Sequence, residues 1–175
     1  MPSNPQRILD FGTGTGIWAL DFADEFPSAK VIGTDLSPIQ PLWVTPNSEF
    51  IVDDVEDEWM YLPSEAFDIV HGRGMAGSIK DWERLYSQIF THLKIGGLLE
   101  MQEYETWIRS DDDENLSRCP CIVEWQSKVD EASTMFGKRM NVAGEQKEKI
   151  IAAGFEGVTD VVQKVNEMIR LYSTC

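Results

Sequence analysis

The chain has 175 residues, 42% of them hydrophobic, and 30 acidic against 15 basic side chains give a formal net charge of −15. That length buries roughly two-thirds of the unfolded surface and suits a single domain spanning 1–175. The acidic field repels a phosphate backbone and argues against direct nucleic-acid binding, and no run approaches the ~20 apolar residues of a membrane span.

The start, Met1-Pro2-Ser3-Asn4-Pro5, lacks the charged and apolar regions of a secretory signal, which predicts a cytoplasmic or nuclear protein. Cys119, Cys121 and Cys175 make an odd count. Cys119-Pro120-Cys121 has no second Cys or His pair at zinc spacing, so the thiols read as reduced and no metal site is predicted.

Residues 8–11 read as a short strand without polar alternation, as at the centre of a parallel sheet. The strand runs into Asp10-Phe11-Gly12-Thr13-Gly14-Thr15-Gly16, a glycine-rich turn that opens a helix near Ile17. Trp18, Phe22 and Phe26 form an apolar stripe on that helix, and Pro27-Ser28 ends it. Residues 30–34 give a second strand closed by Asp35, completing a right-handed βαβ unit. After a proline-punctuated loop, residues 50–52 form a third strand ending in Asp53-Asp54-Val55. Residues 67–70 form a fourth, followed by His71-Gly72-Arg73-Gly74-Met75. Ser78-Ile79-Lys80-Asp81 has capping-box spacing, and Trp82, Leu85, Tyr86, Ile89, Phe90 and Leu93 then recur at helical intervals. Gly96-Gly97 is expected to stop that helix before a fifth strand over 98–104.

Ile122, Trp125, Val129, Ala132 and Phe136 repeat at helical spacing and predict a helix that either covers core or walls a ligand pocket. A shorter helix is expected near 143–153, a sixth strand over 158–165, and a short amphipathic piece over 166–175. His92 falls on the polar side of its helix and is expected at the surface. The alternation predicts an α/β, Rossmann-like open and mostly parallel sheet with helices on both faces. Its core is expected over 7–105, with the helical segment and sixth strand over 115–165.

In such sheets ligands bind beyond the carboxyl ends of the strands. Here each end carries polar chemistry: the glycine loop, Asp35, Asp53-Asp54, His71 to Met75, and Glu103-Tyr104-Glu105. Gly12, Gly14 and Gly16 permit close backbone approach to a ligand. Asp35 can accept from a ribose diol or cap a helix. Asp54 can accept from an adenine amino group, with the Val55 N–H donating to the ring, or belong to a solvated acidic loop. A dinucleotide fingerprint laid on Gly12 and Gly14 needs a third glycine where Ile17 stands, and a pyrophosphate is unfavourable beside Asp10. S-adenosylmethionine, cationic and phosphate-free, meets neither objection.

D-F-G-T-G-T-G, the acid after the second strand and the H-L-K-I-G-G turn resemble the class I S-adenosylmethionine-dependent methyltransferases. G-T-G-T-G-I-W-A-L-D-F-A-D-E-F-P, V-I-G-T-D-L-S-P-I-Q-P, G-S-I-K-D-W and Q-E-Y-E more narrowly resemble the LaeA-like fungal methyltransferases of secondary metabolism. The resemblance implies cofactor binding by Asp10, Gly12, Thr13, Gly14, Gly16, Asp35, Leu36, Asp54 and Val55. It also implies helices before the first strand and a closing C-terminal hairpin. This chain enters its first strand after about seven residues and diverges after Lys164-Val165, so a domain shortened at both ends, lacking the last strand, is expected.

The expected methyl acceptor is a small metabolite or a protein side chain. His71 is the candidate general base by position, against a purely structural role. Glu103 and Tyr104 are the candidates for orienting the acceptor. The alternative function is a weakly active or inactive regulatory module acting through a protein partner.

Overall fold

The computed structural model describes residues 4–163. Five strands form one fully parallel sheet: β1 (Arg7–Phe11), β2 (Lys30–Asp35), β3 (Ser48–Val52), β4 (Phe67–Arg73) and β5 (Leu93–Gln102), in the order β3-β2-β1-β4-β5. α1 (Ile17–Glu25) and α2 (Trp82–His92) cover opposite faces, while α3 (Pro120–Phe136) and α4 (Gln146–Ala152) follow the sheet.

Alternation along the central strands divides the core in two, because successive side chains leave opposite faces. Ile8, Val31 and Ile69 pack with Ala19, Phe22 and Ala23 of α1. Leu9, Phe11, Ile32 and Val70 pack with Trp82, Leu85, Tyr86 and Ile89 of α2. The stripe read from α1 is real: Trp18 stacks on Phe22 and Phe22 on Phe26, with ring centroids 5.0 and 4.6 Å apart.

Several expectations are corrected. The N-cap of α2 is Asp81, whose carboxylate accepts from the Arg84 N–H at 2.9 Å, so Ser78 lies before the helix rather than in a capping box. The helix ends at His92 and β5 begins at once. Gly96 (φ +79°) and Gly97 lie within that strand, where the pairing with β4 jumps from Phe67–Leu93 to Ile69–Leu98. No strand forms over 158–163; residues 164–175, with the rest of the expected sixth strand and the tail, lie outside the described residues. Trp125 and Phe136 of α3 are mostly exposed, and the helix buries Gln126 and Ser133 instead, because Gln126 accepts the Ile108 N–H of the preceding loop. His92 is half-buried against Trp59 and Tyr61.

Polar side chains fix the ends of the sheet. Asn47 donates to the carbonyls of Ala23, Phe26 and Ala29, joining the last turn of α1 to the start of β2. One Asp68 oxygen accepts from the N–H groups of Gln6 and Arg7 and from Lys94 Nζ, at 2.9, 2.9 and 2.8 Å, joining the starts of β1, β4 and β5. Burial raises the Asp68 pKa, but the Lys94 ammonium and the two N–H groups outweigh it and hold the carboxyl below 3.8.

A carboxyl with a lowered folded-state pKa contributes stability above its unfolded value and loses it as pH falls through the folded value. Urea denaturation is therefore expected to show Asp68→Asn less stable than the wild type by about 1–2 kcal/mol at pH 7, with the gap closing below about pH 4. Asn47→Ala, which leaves three carbonyls short of a donor, is expected to cost about 1–2 kcal/mol with little pH dependence in the same assay.

Candidate functional site

The sheet order reverses between β1 and β4: β1 continues to β2 on one side, while β4 adjoins β5 on the other. The loops leaving these neighbours splay apart and open a crevice at their carboxyl ends.

Asp10 sits at the base of that crevice, 2% exposed. Its Oδ2 accepts the Thr13 hydroxyl at 2.5 Å and its Oδ1 lies 2.7 Å from Nδ1 of His71, its register partner on β4. A carboxylate can only accept, so Nδ1 carries the proton. Trp18 of α1 lies flat on the imidazole, 3.8 Å between centroids and 3° between planes. His71 is 1% exposed, and its Nε2 is buried with no partner among the described residues. Thr13 is held twice, since its N–H also donates to the Thr34 carbonyl at 2.9 Å.

The glycines meet different demands. Gly12 (φ +63°) lies under Met75, whose sulfur would be 2.1 Å from a Cβ there. Gly14 (φ +58°) would meet nothing within 4 Å, so only its backbone angle requires glycine and the space beside it is open. The Gly14 N–H donates to Oδ2 of Asp35 at 2.8 Å, and Ser37 N–H to Oδ1 at 2.9 Å. Each carboxylate oxygen keeps a second lone pair for a ligand hydroxyl. Gln40 donates to the Gly14 carbonyl at 2.7 Å and holds the loop from the other side.

Two cavities of about 200 Å³ flank Gly12. One is lined by Asp10, Gly12, Thr13, Gly14, Trp18 and His71, together with Arg73. The other is lined by Gly12, Asp35, Leu36, Asp54, Val55 and Met75, again with Arg73. The structure thus gathers Asp10, Gly12, Thr13, Gly14, Asp35, Leu36, Asp54 and Val55 around one crevice. Gly16 is the exception: it lies against the Phe50 ring and serves the turn into α1.

The two other candidates lie elsewhere. Glu103 turns inward, accepting from the N–H groups of Met75 (2.7 Å) and Ala76 (3.3 Å), so it fixes the β4 loop. Burial raises its pKa, against the lowering effect of those two N–H groups. Tyr104 is 62% exposed and lines neither cavity.

Sequence patterns did not single out Glu56. Its Oε1 accepts from the N–H groups of Lys80 (2.8 Å) and Asp81 (3.0 Å), and its Oε2 meets Lys138 Nζ at 2.9 Å. Partial burial raises the Glu56 pKa, and the Lys138 contact and the backbone donors more than reverse this. The loop carrying Asp54 and Val55 is therefore strapped to the start of α2 and to the residue after the C-cap of α3. In sequence Glu56 was one acid of an acidic run, with nothing to distinguish it. Arg73 and Trp18 were also missed, although Arg73 is the basic residue of the strand-end run H-G-R-G-M.

Residues 2–136 match the model of a methyltransferase domain. The chain is 42% identical over 161 residues to methyltransferase pytC of Aspergillus terreus, an overlap covering 90% of this chain and 49% of that protein. It is 36% identical over 170 residues to the secondary metabolism regulator LAE1 of Cochliobolus heterostrophus, covering 94% and 55%. The chain spans about half the length of these curated relatives. Among solved structures, phosphoethanolamine N-methyltransferase 2 of Haemonchus contortus, in complex with phosphomonomethylethanolamine and S-adenosylhomocysteine, superposes with a TM-score of 0.60 at 23% identity, over 87% of this chain and 33% of that one. The parallel sheet is thus the Rossmann-like fold of the class I methyltransferases. With its model matched from residue 2 to residue 136, the chain belongs to the methyltransferase-domain family.

Proposed function

We propose that this domain binds S-adenosylmethionine in the crevice and transfers its methyl group to a small metabolite or a protein side chain in fungal secondary metabolism. The observation that carries this reading is the pair of cavities that share Gly12 in their lining, one with Asp35 and Asp54 and the other with the buried Asp10. A long ligand reaching both would pass Gly12, where the flexible Met75 side chain packs and would have to give way. The donor set fits the cofactor: acceptors for a ribose diol and an adenine amine at one end, and acidic surroundings for a sulfonium. A dinucleotide fits poorly, because its phosphates would face Asp10, Asp35, Asp53 and Asp54 with one cation, Arg73, lining either cavity.

When bound, the cofactor supplies an electrophilic methyl group with a good leaving group. The chain's own residues then work by orientation, which can supply much of the acceleration. Asp35 holds the ribose diol while Gly14 N–H and Ser37 N–H fix its rotamer. Asp54 and the Val55 N–H read the adenine edge from a loop strapped by Glu56. Asp10, Thr13 and His71 brace the start of the glycine loop. His71 serves as that brace through Nδ1, and its Nε2, buried without a partner among the described residues, is the atom a general-base role would use. Glu103 positions the Met75 loop.

A second reading has its own support: LAE1 is named a regulator. In that reading the domain binds the cofactor and acts through a regulatory protein partner, in the cytoplasm or nucleus, with little turnover.

Titration calorimetry with S-adenosylhomocysteine, S-adenosylmethionine and NAD tests the proposal. Binding of the first two and not of NAD is expected, and preference for NAD would overturn it. Binding without transfer to any metabolite or protein acceptor favours the regulatory reading. Asp35→Ala removes charge-assisted hydrogen bonds to the ribose and is expected to weaken S-adenosylhomocysteine by about 10- to 150-fold. An unchanged affinity in the folded variant removes Asp35 from the site.

A further inference from the structure

We propose that the crossover joining β2 to β3, residues 36–47, is a docking surface for a basic segment of a partner protein, in which lysines or arginines alternate with apolar side chains. The surface lies at the outer margin of the sheet and goes beyond the cofactor reading of the crevice.

β3 is the end strand of the sheet on the β2 side. The crossover leading to it holds neither helix nor strand, yet it is fixed at both ends. Gln40 donates to the carbonyls of Gly14 (2.7 Å) and Ser37 (3.0 Å) at the carboxyl end of the strands. At the opposite end Asn47 holds the carbonyls of Ala23, Phe26 and Ala29, and the Ser48 N–H donates to the Thr45 carbonyl at 3.1 Å. Pro38, Pro41 and Pro46 restrict the path between them. The intervening residues thus travel the length of the sheet at its β3 margin.

On this fixed path Leu42 is 97% and Trp43 93% exposed, with Ile39 and Val52 of β3 also turned to solvent. A leucine and a tryptophan side by side, with almost no cover from their own chain, mark an interaction surface. Because the backbone is already ordered, little conformational entropy is lost when a partner covers them.

The surrounding charges select the partner. Between Arg7 and Arg73 the only lysine or arginine is Lys30, and Glu49 meets it at 2.9 Å. Asp21, Asp24 and Glu25 on the exposed side of α1, and Asp53 after β3, form no ion pair among the described residues. Asp24 and Glu25 stand in the last turn of α1, which has no basic residue, and the helix dipole disfavours carboxylates there. Cations brought by a partner relieve both the crowding of acids and the dipole, while its apolar side chains cover Leu42 and Trp43. The same acids repel anionic lipid and nucleic acid, and a second copy seated about a two-fold axis would set acid against acid.

Fluorescence anisotropy on the whole chain tests this with two labelled synthetic peptides, one alternating lysine with leucine and one alternating lysine with glycine. The lysine–leucine peptide is expected to bind more tightly. Leu42→Ser combined with Trp43→Ser is expected to weaken it by roughly 10- to 30-fold, as loss of an aromatic anchor does, while S-adenosylhomocysteine binding by calorimetry stays unchanged. Asp24→Lys combined with Glu25→Lys should also weaken the peptide, by a factor that shrinks as salt is raised. Equal binding of the two peptides, binding of neither, or an unchanged affinity in the Leu42 and Trp43 variant overturns the proposal. Sedimentation of the chain alone covers the other occupant: self-association that the same variant abolishes would assign the surface to a second copy and overturn the basic partner. A chain that binds the peptide but not S-adenosylhomocysteine defeats the cofactor reading and leaves this surface standing.

Discussion

A carboxylate buried between two parallel strands is the constraint on which the site depends. Asp10 is almost fully enclosed, and an enclosed charge without partners costs several kcal/mol. Here the Thr13 hydroxyl and His71 Nδ1 satisfy it, and each partner belongs to something the site needs. Thr13 starts the glycine loop, His71 belongs to β4, and Trp18 on the imidazole brings in α1. One buried group therefore sets the relative positions of β1, β4, the loop and the first helix. Removing either partner would leave the charge exposed to a low dielectric, so these four elements are held in one geometry.

The same device recurs around the crevice. Asp35 binds the N–H groups of Gly14 and Ser37, Glu103 those of Met75 and Ala76, Glu56 those of Lys80 and Asp81, and Asp68 those of Gln6 and Arg7. Loops are rich in backbone N–H groups that no helix or sheet satisfies, and an ionised carboxylate accepts several at once. The excess of acids is therefore partly structural, since several of them tie loops rather than simply face water. The arrangement also gives the crevice a negative lining, which suits a cationic ligand and makes the single arginine beside it chemically distinct.

The outer parts of the chain follow different rules. β5 pairs only with β4 among the described residues, and its register shifts between Leu93 and Leu98. α3 presents Trp125, Met135 and Phe136 outward and is tied back by Gln126 and by Lys138, which meets both Glu56 and the Ser78 carbonyl. Its apolar spacing matched a core helix, but burial depends on what stands opposite, and polar ties rather than packing fix its place.

Much of the architecture was already set by the sequence. The buried runs at β1, β2 and β4, the stripes on α1 and α2, and the glycines with Asp35 at a strand end define a parallel sheet with a ligand crevice, because periodicity and turn chemistry are local properties. Contacts between residues distant in the chain were decided only by the tertiary structure. Glu103 looked like an acceptor-facing acid and holds a loop; His71 looked free and has its Nδ1 taken up by Asp10. Glu56 was hidden in an acidic run, and Arg73 gains its meaning from two cavities formed by loops on four strands. The reason is physical: a charge takes its role from the partners and dielectric around it, and those exist only once the strands have paired.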